Sequence, residues 1–187
     1  MVEPPNRDAL ALLRRSDARG FDLLYARYAD RIFGFLQRLC GSRALAEDLF
    51  QHTFLRLAEA GPRLRVDSDV RAWLFSVARN AFHSHARSRG VEARLGRELV
   101  FAPRAACTQP DSGLVLDELE RALARLGAGD RELLLLLGVE GLSHAEVALV
   151  LEVDQVTVRK RASRARARLA EALDEDAQVV SKSEVRE

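Results

Sequence analysis

Several residue types whose abundance would mark a class of protein are scarce in this chain. It has two cysteines, Cys40 and Cys107, which form no CxxC pair and have no further ligand at metal spacing. Neither a disulfide framework nor a zinc finger is therefore supported, and a reduced, cytoplasmic setting is expected. Long apolar runs are missing too: the longest, LLLLLGV from Leu133, falls far short of the ~20 residues a membrane-spanning helix needs. No N-terminal apolar stretch resembles a signal peptide, so a soluble protein that stays inside the cell is expected, with no membrane insertion. Alternating patterns typical of strands are almost absent. Nucleophile, base and orienting group do not recur at a shared site, so no catalytic residue, cofactor or enzymatic activity is expected. His83 and His85 flank Ser84 with no third ligand at metal spacing and read as solvent-exposed or phosphate-facing rather than as a metal site.

Hydrophobic residues make up 48% of the 187 positions, enough for one modest core or two small ones. The net charge of only +1 would not announce a nucleic-acid partner, but the charges are unevenly placed. The stretch TVRKRASRARARL from Thr157 is strongly basic, and the segment after Glu171 is acidic. Opposed patches are thus hidden in a near-zero sum.

The patterning predicts an all-α chain of two small helical domains. Helices are expected over about Asp8 to Arg15, Phe21 to Leu39, Ser42 to Ala60 and Asp69 to Ser88, with Gly20, Gly41, the GPRLRVDS loop and Gly90 as breaks. Residues 1–90 form the first domain. From Val91 to Gly113 the periodicity fails, and Gly96, Pro103, Pro110 and Gly113 mark an extended linker carrying Arg94, Arg97 and Arg104. A second domain, 114–172, opens with Leu116, Leu119, Leu123 and Leu126 at helical spacing and continues with a helix from Asp130 to Leu137. The acidic tail, 173–187, is expected to be disordered.

The span Leu142 to Leu169 is the most informative. Ser143 followed three positions later by Glu146 makes a capping box. That helix ends at Glu152-Val153-Asp154, and Asp154 caps a second one. At ~100° per residue Val158, Ala162, Ala165 and Leu169 share one face of the second helix, while Val156, Arg159, Lys160, Ser163 and Arg164 lie on the other. This is the outline of a helix-turn-helix. Its exposed cations would neutralise backbone phosphate and reach guanine edges in the major groove. Two plainer readings compete: a stand-alone helix-turn-helix regulator, and a helical interaction module in which every arginine is merely solvated.

Two further helices carry a surface pattern. After Ser42, Ala46, Phe50, Thr53, Phe54 and Leu57 share a face, leaving Asp48, Gln51, His52 and Leu55 on the other. An exposed leucine among polar groups points to a protein interface. After Asp69, Val70, Trp73, Val77 and Ala81 are expected in the core, with Arg71, Phe75, Arg79 and Phe82 opposite, as a stacking and phosphate surface for single-stranded DNA. Phe75 and Phe82 packed against a neighbouring helix is the competing reading.

Four stretches in order, AEDLFQHTFLRLAEA from Ala46, RAWLFSVARNAFHSHARS from Arg71, GDRELLLLLGVEGLSHAEVALVLEV from Gly129 and TVRKRASRAR from Thr157, resemble the extracytoplasmic-function (ECF) group of bacterial RNA polymerase sigma factors. The resemblance implies that the first domain is sigma domain 2, which binds core polymerase and captures the melted minus-10 strand. The second is sigma domain 4, which reads the minus-35 duplex. It further implies that Asp48, Gln51 and Leu55 dock on the β′ clamp helices, that the β flap is a second polymerase contact, and that an anti-sigma factor is a candidate partner. Ala60, Leu64, Phe75, Val77 and Asn80 occupy the positions of a flipped-base pocket, with Arg79 beside them, and Arg159, Lys160, Ser163 and Arg164 are the minus-35 candidates. The chain departs from the family pattern at His52, where an acidic residue is usual; at Ser84, where aspartate is frequent; and at Gly127, Glu152 and Ala162, where proline, a turn glycine and leucine are common.

Overall fold

A computed structural model describes residues 6–93 and 113–184. The linker arginines 94, 97 and 104, and Cys107, lie outside these residues. Among those described, the chain forms eight α-helices and no strand, gathered into an N-terminal and a C-terminal unit.

The N-terminal unit is built from α1 (Arg7–Arg14), α2 (Ala18–Cys40), α3 (Arg43–Ala60) and α4 (Val70–Ala93). Asp17 caps α2 by accepting the Arg19 N–H at 3.0 Å, so α2 starts three residues before the expected Phe21. Gly20 does not break it. A Cβ there would stand 2.5 Å from the Ala9 carbonyl oxygen and 2.6 Å from the Leu13 nitrogen, so the missing side chain is what lets α1 and α2 cross. Gly41, at φ 66°, ends α2 in the left-handed conformation glycine tolerates. Ser42 and Asp69 then cap α3 and α4, accepting from the Leu45 and Ala72 N–H groups at 3.4 and 2.9 Å.

An aromatic seam joins α2 to α3. Tyr25 meets Phe54 at 4.8 Å between ring centroids, Phe33 meets Phe50 at 5.8 Å, and Phe50 meets Phe54 at 4.9 Å. Beneath it Leu24, Tyr28, Ile32, Phe35 and Leu36 of α2 are fully buried. The buried Tyr28 hydroxyl accepts from Asn6 Nδ2 at 2.8 Å. Desolvation pushes the Cys40 thiol up to about 12, which keeps it protonated and unreactive at neutral pH.

α4 differs from expectation in its facing. Its buried residues are Val70, Ala72, Leu74, Phe75 and Ala78, whereas Trp73, Val77 and Ala81 are only half-buried. Phe75 is a core residue, edge-on to Phe35, and is unavailable as an exposed base-stacking platform. Gly90 does not end the helix, which continues to Ala93; one glycine among helix formers costs only ~1 kcal/mol relative to alanine.

The C-terminal unit comprises α5 (Gly113–Arg125), α6 (Ala128–Leu134), a π turn over Leu135–Val139, α7 (His144–Leu151) and α8 (Gln155–Glu184). Gly113, expected in the linker, is the first residue of α5. α8 packs on both α5 and α6, and Leu123, Leu126, Leu133, Leu136, Val147, Val158 and Ala162 are among the buried side chains of this unit. The expected disordered tail is instead a continuation of α8 as far as Glu184. No glycine or proline interrupts 155–184, and Ala, Leu, Gln and Glu all favour a helix.

Candidate nucleic-acid interface

The α7–α8 pair is set by local chemistry at three points. Ser143 Oγ accepts the Glu146 N–H at 3.2 Å while Glu146 Oε2 accepts the Ser143 N–H at 2.7 Å, a closed capping box. At the other end of α7 the Glu152 N–H bonds back to Leu149 and the Val153 N–H to Ala148. This is the Schellman pattern, whose C′ residue is left-handed and usually glycine. Glu152 takes that conformation at φ 55°, so the turn keeps its place with a side chain that strains it. Asp154 starts α8: its Oδ1 accepts the Thr157 N–H at 2.7 Å and its Oδ2 the Thr157 hydroxyl at 2.6 Å. These bonds hold the Asp154 carboxyl below its usual range.

α8 presents the face its periodicity predicts. Val158, Ala162 and Ala165 are fully buried and Leu169 half-buried. Arg159, Lys160, Ser163 and Arg164 are all exposed, and so is Val156. Two other arginines of the helix are used structurally. Arg168 pairs with Asp130 at the start of α6, and the half-buried Arg161 lies against Gly129. Ala162, where the family favours leucine, has its small side chain entirely covered.

One tie within this unit was not visible in the motif. Arg131 is 6% exposed. Its Nε donates to the Leu123 carbonyl at 2.8 Å, and its Nη2 to those of Ala124 and Leu126 at 2.6 and 3.0 Å. A guanidinium therefore closes the C-terminal carbonyls of α5, the end a cation favours. Burial pulls its pKa below the ordinary arginine value. The only sequence signal was the charged pair Arg131 and Glu132 directly before the leucine run.

In the N-terminal unit, α3 divides as expected. Ala46, Thr53, Phe54 and Leu57 are buried, Phe50 is half-buried, and Asp48, Gln51, His52 and Leu55 are exposed, with Leu55 at 57%. Thr53 satisfies its hydroxyl by donating to the Leu49 carbonyl at 2.7 Å. Leu23 and Tyr25 of α2 are also exposed at 49% and 41%. They could have been found as the apolar residues of α2 off the Leu24, Tyr28, Ile32 stripe.

The candidates for single-strand contact separate. Ala60 ends α3 and Leu64 follows the 3-10 turn Gly61–Arg63; both are half-buried. Val77 is half-buried and Asn80 exposed one turn later on α4. Arg79 Nη1 donates to Asn80 Oδ1 at 3.2 Å. Phe75 lies in the core and drops out of this group. His83 and His85 are half-buried rather than free in solvent, and His83 stands edge-on to Phe82 at 5.4 Å. Among the described residues no group of histidine, cysteine and carboxylate side chains could hold a metal.

Residues 24–91 match the family described as Sigma-70 region 2, and residues 116–169 match Sigma-70, region 4. The chain is similar to the RNA polymerase sigma factor CarQ of Myxococcus xanthus, 35% identical over 83% of this chain and 90% of that protein. It is also similar to the RNA polymerase sigma-H factor of Pseudomonas aeruginosa, 28% identical over 92% of this chain and 96% of that one. Among solved structures it resembles the sigma factor RpoE of Bartonella quintana in complex with the anti-sigma factor NepR, with a TM-score of 0.73 and 32% identity, covering 82% of this chain and 96% of that one. It likewise resembles CnrH in complex with the cytosolic domain of CnrY, with a TM-score of 0.71 and 25% identity, covering 92% and 99%.

Proposed function

The chain belongs to the ECF group of the sigma-70 family, and from that premise we infer how its surfaces divide the work of promoter selection. It is a sigma factor: it binds core RNA polymerase and directs it to promoters, and does no bond chemistry itself. A stand-alone regulator would need α7 and α8 but not region 2, so that alternative is not favoured.

We assign polymerase and minus-10 binding to residues 1–90, minus-35 binding to 114–172, and the connection to 91–113. The observation that carries the minus-35 reading is the row of Arg159, Lys160, Ser163 and Arg164 exposed on α8 opposite the buried Val158, Ala162 and Ala165. A capped helix with cations near its start suits the major groove, where arginine binds guanine O6 and N7 in bidentate fashion. Asp48, Gln51 and Leu55 form the proposed contact with the β′ clamp helices; an exposed leucine between polar groups supplies apolar area at such a contact. A second polymerase contact, to the β flap, belongs to the C-terminal unit. For the melted strand the proposed set is Ala60, Leu64, Val77, Arg79 and Asn80, without Phe75.

One of the similar structures is a sigma factor held by an anti-sigma factor, and another is CnrH held by the cytosolic domain of CnrY; an anti-sigma factor is proposed as a partner here as well. The site of action is the cytoplasm, where polymerase works. Among the described residues no helix is long and apolar enough to cross a membrane.

Run-off transcription with bacterial core polymerase on a promoter library tests the assignment. Wild-type protein is expected to support specific initiation. Leu55→Asp should bind core at least about tenfold more weakly with unchanged stability, while Arg159→Ala should bind core normally and weaken one minus-35 position by about 1–3 kcal/mol. Failure of the wild type to bind core would overturn the reading.

A further inference from the structure

α1 and the loop after α3 flank an open, shallow cleft of about 370 Å³ lined by Arg7, Arg14, Arg65, Val66 and Asp67. Arg7 and Arg14 are separated by two helical turns, which puts them on the same side of α1. The helix is held there by the buried Ala9, Leu10 and Leu13. Leu13 also reaches within 3.0 Å of where a Cβ on Gly61 would stand, so α1 and the 3-10 turn are in close contact.

Three guanidinium-bearing residues thus converge on one cleft from two separate elements, against a single carboxylate. Arg65 is aimed by Asp67 through a bidentate pair, Nε to Oδ1 at 3.0 Å and Nη2 to Oδ2 at 2.9 Å. Arg7 and Arg14 are exposed; Asp67 is held below its usual range first by its hydrogen bonds from Arg65 and last by the field of Arg7. Two positive charges are left over. Arg65 comes to the cleft from a different element than Arg7 and Arg14, and cations brought to one cleft repel unless an anion lies between them. The guanidinium fork matches phosphate oxygens in particular.

We propose that Arg7, Arg14 and Arg65 form a phosphate-binding site beside the loop 61–68. Its expected occupant is a backbone phosphate of the promoter strand, next to the base that Leu64 of this loop would contact; this rests on the assignment of Leu64 to the melted strand proposed above. α1 then has a role in DNA capture as well as in packing. A free polyphosphate has the same chemistry and would use the same three residues.

Holoenzyme reconstituted with core polymerase is titrated with single-stranded minus-10 oligonucleotides in which each phosphate in turn is replaced by a neutral methylphosphonate. The R7Q/R14Q double variant is compared with wild type, and both are titrated separately with inorganic tripolyphosphate. One methylphosphonate position should weaken wild-type binding roughly threefold to tenfold, the scale of two exposed charge contacts, and have a clearly smaller effect on the double variant, which keeps only Arg65. The salt dependence of the variant should fall by roughly 0.7 in slope for each phosphate it no longer neutralises. No effect at any methylphosphonate position, with tripolyphosphate bound by wild type and not by the variant, would assign the same site to a free polyphosphate. If the variant matches wild type with every oligonucleotide and with tripolyphosphate, the site does not exist. A wild-type holoenzyme that fails to hold the unmodified strand refutes the reading of the loop, and the tripolyphosphate arm still decides whether the three arginines bind phosphate.

Discussion

The rings of Phe35 on α2 and Phe75 on α4 meet edge to face, 5.3 Å between centroids and 82° between planes, with both side chains fully buried. Edge-to-face pairs add ~0.5–1.5 kcal/mol to what burial alone contributes, so this contact is a main tie between the two helices. Phe75→Ala should lower stability by about 3–5 kcal/mol, and Phe75→Leu by less. In urea denaturation both variants should shift the midpoint. Phe75→Leu, which keeps the fold, should initiate from the same promoters as wild type; a changed minus-10 preference would mean that Phe75 touches DNA after all.

The misreading of α4 has a physical origin. Along RAWLFSVARNAF two stripes one residue apart are each apolar enough to be a core face, and at ~100° per residue a single-position shift turns the helix by more than a quarter of its circumference. Tryptophan is large and rarely fully covered, so assigning Trp73 to the core chose the wrong stripe. α3 allowed no such ambiguity, because Asp48, Gln51 and His52 fill the alternative face. The capping box at Ser143 and the Asp154 cap were legible for a different reason: both are closed within four residues, so local sequence decides them. Arg131 closes carbonyls five to eight residues upstream across a turn, a partnership no periodicity encodes. At the acidic tail, composition argued for disorder while the absence of any helix breaker argued for α8 to continue, and the second consideration prevailed.

Glu152 is a side chain in a conformation suited to glycine. Glu152→Gly should raise thermal stability by about 0.5–1 kcal/mol, the left-handed penalty partly offset by the greater freedom of glycine in the unfolded chain. Glu152→Val should lower it, since a β-branched residue tolerates positive φ least. Melting curves of the two variants moving in the same direction would contradict this account of the turn.

Acid should loosen the start of α8. The folded Asp154 carboxyl is held below its ordinary value of 3.8, mainly by the Thr157 hydroxyl and then by the Thr157 N–H. A depressed pKa contributes stability that is fully present above the unfolded value and is lost as pH falls through the folded one. The loss therefore belongs to the window below about pH 4. Asp154→Asn keeps a capping oxygen that does not titrate, so its melting temperature should fall less than that of wild type on acidification through this window, as followed by circular dichroism.

Arg131→Met keeps most of the side-chain volume and removes the donors to three carbonyls. Groups left buried and unpaired make such a change expensive, about 2–4 kcal/mol. Calorimetry should show the destabilisation, and Arg131→Lys should recover only part of it, because an ammonium lacks the planar fork that reaches several carbonyls together.

α8 runs unbroken for 30 residues, Gln155–Glu184, a rod of ~45 Å. Residues 155–169 carry six basic side chains and no acidic one; residues 170–184 carry five acidic and one basic. This order opposes the helix macrodipole, which favours anions at the start and cations at the end, so intrinsic helix electrostatics do not account for it. Near a polyanion it gives the rod a polarity: one half is drawn in and the other is driven off. On the minus-35 assignment proposed above, a duplex is expected to meet the basic end of this helix first.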